Sequence, residues 1–267
     1  MKIVDCFIFY NELKMLEFRL TELYDFVDFF VLVEATKTHQ GDNKPLFFEE
    51  NKHLYQKFSD KIIHVIVDDM PSGDDAWVRE HYQRDQIISG LEQINLSDND
   101  TILTGDADEI PDTNILSYCR ENALDKIFSL EQDLYYYSLN FRGQMKWLAA
   151  KILPYKEMTK GTPTQIRMAH AIPLVAGENF RHSISRGGWH FSYFGDSDFI
   201  VNKTKSFAHK EFNLPHYLDQ KKIEESILRG EDVYGRKEPM TTFSKIALDD
   251  NDYLPKHYEI LANINRD

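Results

Sequence analysis

Asp106 and Asp108, with only Ala107 between them, are the residues whose types and spacing best suit chemistry. They follow the apolar run Asp100 to Thr104 and precede Ile110 and Pro111, where regular pairing should stop. In extended backbone, side chains at i and i+2 point the same way. The two carboxylates would then share a face, repel each other and lose hydration together. A divalent cation relieves both strains. Carboxylate oxygens suit Mg²⁺ or Mn²⁺, which keep open positions for a phosphate. An acidic loop facing water is the plainer alternative. His190, in the run Gly187 to Gly195, is a second candidate, because imidazole also binds Mn²⁺. On a strand, Trp189 and Phe191 share one face and His190 takes the other. If the two aromatics pack inward, His190 faces the cleft. A packed core histidine is the alternative, and His209 and His216 are rivals on helical or loop surface.

Four other positions could surround such a centre. Arg84, with Arg79 as its neighbour, could fork onto a phosphate or onto Asp106. Its plain alternative is a surface pair with Glu80 or Asp85, worth at most ~1 kcal/mol. Glu34 could accept hydrogen bonds from a ribose or base edge, or cap a helix or loop. Asn11 is a natural helix N-cap. Glu12, in the first turn, suits the helix dipole. Tyr135, Tyr136, Tyr137 and Trp147 could line a sugar platform or belong to the core.

Alternating strands and helices must position these groups. Ile3 to Tyr10, Asp28 to Glu34, Lys61 to Val67 and Asp100 to Thr104 read as strands. Helices are expected over Glu12 to Tyr24, about Glu49 to Phe58 and Asp75 to Gln93. This alternation predicts an α/β domain with a largely parallel sheet. Right-handed crossovers bring the strand C-terminal ends to one edge, where ligands bind. Asn11, Glu12, Glu34, Asp106 and Asp108 all sit at such ends. The second half is less regular. Strands are expected over 127–139 and 189–194, short strands and loops over 143–188, and helices over 198–212 and 217–228.

Composition removes several function classes. The chain has 267 residues, with 31 Lys and Arg against 44 Asp and Glu, a formal net charge of −13. Bulk electrostatics therefore disfavour nucleic acid as a partner. Hydrophobic residues make up 42% and aromatics 13%, enough to bury a core. Cys6 and Cys119 cannot form a cysteine-rich zinc site or a disulfide framework, and they suit a reducing compartment. The N-terminal apolar run is interrupted by Asp5 and ended by Asn11 and Glu12, so it reads as a strand and not as a signal. No stretch approaches the ~18 apolar residues of a transmembrane helix. Dinucleotide and P-loop glycine motifs, the serine-hydrolase elbow and the H-E-x-x-H motif are all missing.

The ordered set Asp5 to Glu12, Val33-Glu34-Ala35, Gly41 to Leu46, Asp106 to Pro111 and Gly188 to Ser192 resembles glycosyltransferase family 17. The resemblance spans about residues 3 to 195. It implies a GT-A-type α/β fold with a mostly parallel central sheet flanked by helices and an irregular mixed C-terminal part. The chain shows no internal repeat, low-complexity tract or linker, so one domain, 1–267, is expected, with a nucleotide-sugar-binding half (1–111) and an acceptor-side half (112–267). The implied activity is inverting, metal-dependent transfer of a sugar, GlcNAc first, from a UDP-sugar to a glycan hydroxyl. Xylose or glucose are alternative donor sugars. The resemblance makes Asp106 and Asp108 the Mn²⁺ or Mg²⁺ pair, with His190 a further ligand. Asn11, Glu12 and Glu34 fall in the nucleotide pocket, and Arg84 and Asp106 beside the donor. Asp198 is the general base it suggests, with Glu109, Glu131 and Asp196 as alternatives. Animal members carry an anchor and stem. This chain shows neither, and is expected to be a cytoplasmic protein of bacterial or viral type.

Two other readings use the same residues. A metal-dependent phosphoesterase would pair the carboxylates with a water nucleophile. A non-enzymatic glycan-binding module would use the aromatics as a platform and the carboxylates for Ca²⁺.

Overall fold

The computed structural model describes residues 1–169 and 182–264. The four expected strands are present as β1 (Ile3–Phe9), β2 (Phe29–Ala35), β3 (Ile62–Val67) and β4 (Thr101–Asp106). They pair in parallel in the order β3-β2-β1-β4. β1 is buried along nearly its whole length, as its continuous apolar run requires of a strand covered on both faces. One core layer holds Phe7, Leu16, Phe18 and Leu20. The opposite layer holds Cys6, Val31, Val33 and Ile87.

The helices of this half are α1 (Leu13–Leu23), α2 (Phe47–Asn51), α3 (Ala76–Asp85) and α4 (Ile87–Leu91). The single long helix expected over 75–93 divides at Gln86. α4 then lies flush on β2, where a Cβ at Gly90 would meet Val31 Cγ1 at 2.3 Å. The helix expected over 49–58 is α2 followed by a 3₁₀ segment, Lys52–Phe58.

The second half extends the same sheet. Its elements are β5 (Glu109–Pro111), α5 (Thr113–Glu121), β6 (Phe128–Tyr136), β7 (Ser138–Trp147), β8 (Lys151–Pro154), α6 (Tyr155–Met158) and α7 (Pro163–Met168). Then come β9 (Ser183–Ser192), α8 (Ser197–Ser206), α9 (Gln220–Arg229), β10 (Phe243–Lys245) and α10 (Tyr258–Ala262). The sheet order is β10-β7-β6-β8-β4-β1-β2-β3, with β9 beside β5 and β6. β8 runs antiparallel to β4, and β9 parallel to β6. The sheet is thus parallel in its first-half strands and mixed beyond β4. The part expected to be irregular is largely a continuation of the sheet. The short strands and loops expected over 143–188 lie partly outside the described residues, at 170–181.

Tyr135, Tyr136 and Tyr137 are all buried. They are core and not an exposed sugar platform. Tyr136 and Tyr137 pack with Tyr193, Ile223 and Tyr234 under α8 and α9. Cys6 and Cys119 are buried free thiols. Among the described residues, no helix is long and apolar enough to cross a membrane.

Candidate functional site

A cavity of about 830 Å³ lies at the C-terminal ends of β1 and β4. β4 stops at Asp106, and the chain turns through Ala107 and Asp108 into β5. The shared face expected from extended backbone therefore does not arise from pleating. Asp106 and Asp108 still line one cavity, but each carboxylate engages its own cations. Asp106 accepts from Arg84 Nη1 at 2.7 Å and from Arg167 Nη2 at 2.6 Å. Asp108 accepts from Lys203 Nζ at 3.1 Å and faces His190 Nε2 at 3.5 Å.

Behind this turn Glu109 is buried. Its carboxylate folds over Gly105, where a Cβ would meet Glu109 Oε2 at 2.8 Å. It accepts from the Asp106 N–H at 2.9 Å, from Trp147 Nε1 at 2.6 Å and from Arg167 Nη1 at 2.7 Å. With its oxygens so engaged, Glu109 is a scaffold and no candidate base.

The charges tune one another. Burial alone would raise the Asp106 carboxyl, but the guanidinium groups of Arg167 and Arg84 outweigh it and bring it down to about 2. Burial likewise opposes ionisation of Asp108, and Lys203 with His190 drives it well below the usual carboxylate range. Lys203 is pushed up: burial lowers it, but Asp108 and Glu12 prevail. Lys151, buried in β8 at the cavity wall, is lowered by burial to about 8 despite the Glu109 charge.

His190 stands where its strand register predicts. Trp189 and Phe191 are buried in the core, and His190 lines the cavity against Trp147, with ring centroids 4.6 Å apart. Its Nδ1 is buried with no hydrogen-bond partner among the described residues. His209 also lines the cavity, edge-on to Trp77 at 4.7 Å. His216 packs on Tyr217 outside it.

Other expected site residues stand elsewhere. Arg84 is buried and bridges Asp106 and Glu80, taking the carboxylate of its two expected partners. Arg79 is buried and donates to the carbonyls of His39 and Gly73 at 2.6 and 2.5 Å, so it ties loops together. Glu34 does not line the cavity. It is fully buried and accepts from the N–H groups of Phe48 and Glu49 and from His64 Nε2. Its strand ends beneath the N-terminus of α2, so the carboxylate caps that helix instead of meeting a nucleotide.

Asn11 is not the N-cap of α1. Glu12 holds that position, and no side chain caps the helix. Asn11 donates instead to Asn202 at 3.3 Å, and it too lies outside the cavity lining. Glu12 lines the cavity, 3.8 Å from Lys203. Asp198 is exposed on α8, bonds to Gln220 and does not reach the cavity lining. Asp196 caps α8, accepting from Phe199 N at 2.8 Å. Glu131 bonds to Ser183, away from the cavity.

Sequence reasoning missed Arg167 and Lys203. The capping box Thr162/Gln165 with Pro163 marks the start of α7, but nothing local aims Arg167 at Asp106. Lys203 sits one helix after the Trp189-His190 strand. Its target, Asp108, is 95 residues earlier.

Among the described residues, seven Lys and Arg side chains line the cavity against four Asp and Glu. In a chain of net charge −13, this reverses the sign locally and suits an anionic ligand.

The model described as glycosyltransferase family 17 matches residues 1–259. The chain belongs to glycosyltransferase family 17. Its sheet, parallel over β3-β2-β1-β4 and mixed beyond, has the α/β class expected from the sequence. Over 107 residues it is 34% identical to the β-1,4-mannosyl-glycoprotein 4-β-N-acetylglucosaminyltransferases of Homo sapiens and Rattus norvegicus. That match covers 38% of this chain and 20% of those proteins, so it spans about a fifth of the relatives' length. Among solved structures, the glycosyltransferase GlyE of Streptococcus pneumoniae is 9% identical with a TM-score of 0.37, covering 98% of this family 17 chain and 60% of GlyE. The galactosyltransferase LgtC, solved with donor and acceptor sugar analogs, is 11% identical with a TM-score of 0.37, covering 99% and 95%.

Proposed function

We propose that this chain transfers a sugar from a UDP-sugar to a glycan hydroxyl, with inversion and with Mn²⁺ or Mg²⁺. GlcNAc is the donor sugar favoured, because the relatives' names carry it; xylose or glucose are the alternatives. The observation that carries the proposal is the cation-rich cavity at the parallel strand ends, built around Asp106 and Asp108. An anionic diphosphate fits that charge. The first-half elements supply the donor side, and the second half closes the cavity with Arg167, His190 and Lys203.

The donor set suits the metal at one point. Asp108 and His190 present a carboxylate oxygen and an imidazole nitrogen 3.5 Å apart, and the second imidazole nitrogen has no partner among the described residues. Among the described residues, no three His, Cys, Asp or Glu side chains gather around one point. Mg²⁺ and Mn²⁺ are commonly held by one or two protein ligands plus substrate phosphates. Asp108 and His190 would hold the ion. Asp106, gripped by two guanidinium groups, would orient Arg84 and Arg167. The bound metal would neutralise charge on the leaving diphosphate. Lys203 and Arg167 would do the same from the protein side, from positions fixed by their ion pairs with Asp108 and with Asp106 and Glu109. Transfer needs one general base on the acceptor hydroxyl. That role falls to a carboxylate of the cavity lining and not to Asp198. The two buried free thiols accord with a reducing, cytoplasmic setting.

Thermal-shift titration with UDP, with and without Mn²⁺, tests this reading. A ligand at ~100 times its Kd should add ~2.7 kcal/mol of stability. UDP binding that depends on Mn²⁺, followed by turnover of a UDP-sugar, is the expected result. Release of phosphate from simple esters without UDP binding would favour the phosphoesterase. Glycan binding without UDP binding would favour the binding module.

A further inference from the structure

Arg19 of α1 is 1% exposed and lies between the core and the Asp106–Glu109 turn. Its Nε and Nη2 hold both oxygens of Asp5 on β1, at 2.7 and 2.6 Å. Its Nη1 donates to the backbone carbonyls of Asp106, Ala107 and Glu109 at 2.9, 3.2 and 2.9 Å. The fourth carbonyl of the turn, that of Asp108, accepts from Phe191 N at 2.9 Å. The guanidinium also lies 4.4 Å from the centroid of the Phe7 ring.

We propose that Arg19 is a positioning residue. It touches no ligand and sets where the side chains of Asp106, Asp108 and Glu109 stand by holding three backbone carbonyls of their turn. The functional part of this inference rests on the glycosyl-transfer reading; the geometric part does not. A buried ion pair is by itself weak evidence for a stabilising device, because desolvation offsets its attraction. Here the planar fork does what a lone ammonium cannot: one edge fixes it to Asp5 while Nη1 collects three carbonyls. The first two carbonyls belong to the peptides that link Asp106 to Asp108, and the third to the peptide that leads from Glu109 into β5. A shift of this turn would move Asp106 from Arg167, Glu109 from Trp147 and Asp108 from His190 together.

Arg19→Lys keeps the positive charge beside Asp5 but cannot keep all the carbonyl bonds. The chain has three tryptophans, and their indole ¹⁵N–H resonances report separate places. Trp147 donates to Glu109 at 2.6 Å and Trp189 to the Tyr253 carbonyl at 3.0 Å, while Trp77 lies on α3. In Arg19→Lys the Trp147 resonance should move while those of Trp189 and Trp77 stay. UDP affinity with Mn²⁺ should fall about tenfold, and without metal by less than about twofold. Asp5→Asn retains the guanidinium but loosens its anchor, so it should shift the same readouts in the same direction, with an affinity loss of about threefold. If Arg19→Lys fails to fold, Asp5→Asn decides alone. A lowered Tm with the Trp147 resonance and the Mn²⁺-dependent affinity unchanged would overturn the proposal and leave a merely structural pair. If the wild-type chain binds no UDP with Mn²⁺, the transfer reading falls, and the Trp147 resonance alone decides whether Arg19 positions the turn.

Discussion

Asp108 and His190 face each other across 3.5 Å because a short ladder joins β9 to β5, the strand that begins directly after Asp108. Glu109 pairs with His190 where β5 meets β9, and Phe191 N donates to the Asp108 carbonyl. The carboxylate comes from the turn after the parallel half, and the imidazole from the mixed half. Their approach depends on Gly188, which has φ +117° and whose Cβ would meet the Ile110 carbonyl at 2.1 Å. Only glycine lets the two backbones come so close.

Asp108→Asn removes the charge and one of the two candidate ligands while keeping the side chain's shape. Its UDP affinity with Mn²⁺ should fall by about tenfold or more, with the far-UV circular dichroism spectrum retained. Normal Mn²⁺-dependent UDP binding and turnover in this variant would place the metal elsewhere.

His190→Ala should weaken the same Mn²⁺-dependent binding with little change in the apo Tm. The side chain lines a cavity and its Nδ1 has no partner to lose. Trp189→Ala is the contrast: it removes a buried core ring and should cost about 3–5 kcal/mol. A large stability loss in His190→Ala with unchanged UDP affinity would return His190 to the core.

Glu34→Gln should lower stability by about 1–3 kcal/mol, since its buried partners would lose a charged acceptor. UDP affinity should stay within about twofold of wild type. An affinity loss without a stability loss would restore Glu34 to the nucleotide pocket.

Lys151 gives a pH signature. Its folded pKa is lowered by burial from 10.5 to about 8. Between those values the unfolded chain binds more protons than the folded one, so stability from this group rises with pH across the window. Below about pH 8 the penalty of the buried charge is fully present. Lys151→Met should therefore stabilise the apo protein near pH 7 by up to about 3 kcal/mol, and the gain should vanish by about pH 10.5. Denaturant titrations at both ends of the window measure it. A gain that does not change with pH would show that the amine is not held in this state.

Asp198→Asn should keep kcat/KM within about twofold of wild type, because the side chain is exposed and outside the cavity. A loss of about a hundredfold or more would show that Asp198 reaches the acceptor after all.

The sequence by itself determined what depends on near neighbours along the chain. Continuous apolar runs marked β1 to β4, and period-two alternation turned Trp189 and Phe191 inward and His190 to the cavity. Placing the candidate site at the C-terminal strand ends followed from the handedness of the crossovers, and a cavity lies there. The tertiary structure decided the partners. Arg167 reaches Asp106 across 61 residues of chain, and Lys203 reaches Asp108 across 95. Glu34 and Asp106 both end parallel strands, yet one is sealed under α2 and the other opens to the cavity. Periodicity assigns a residue to a face of its own element. Which element covers that face depends on packing angles and loop paths that no local pattern encodes, and that covering separates a buried cap from a site.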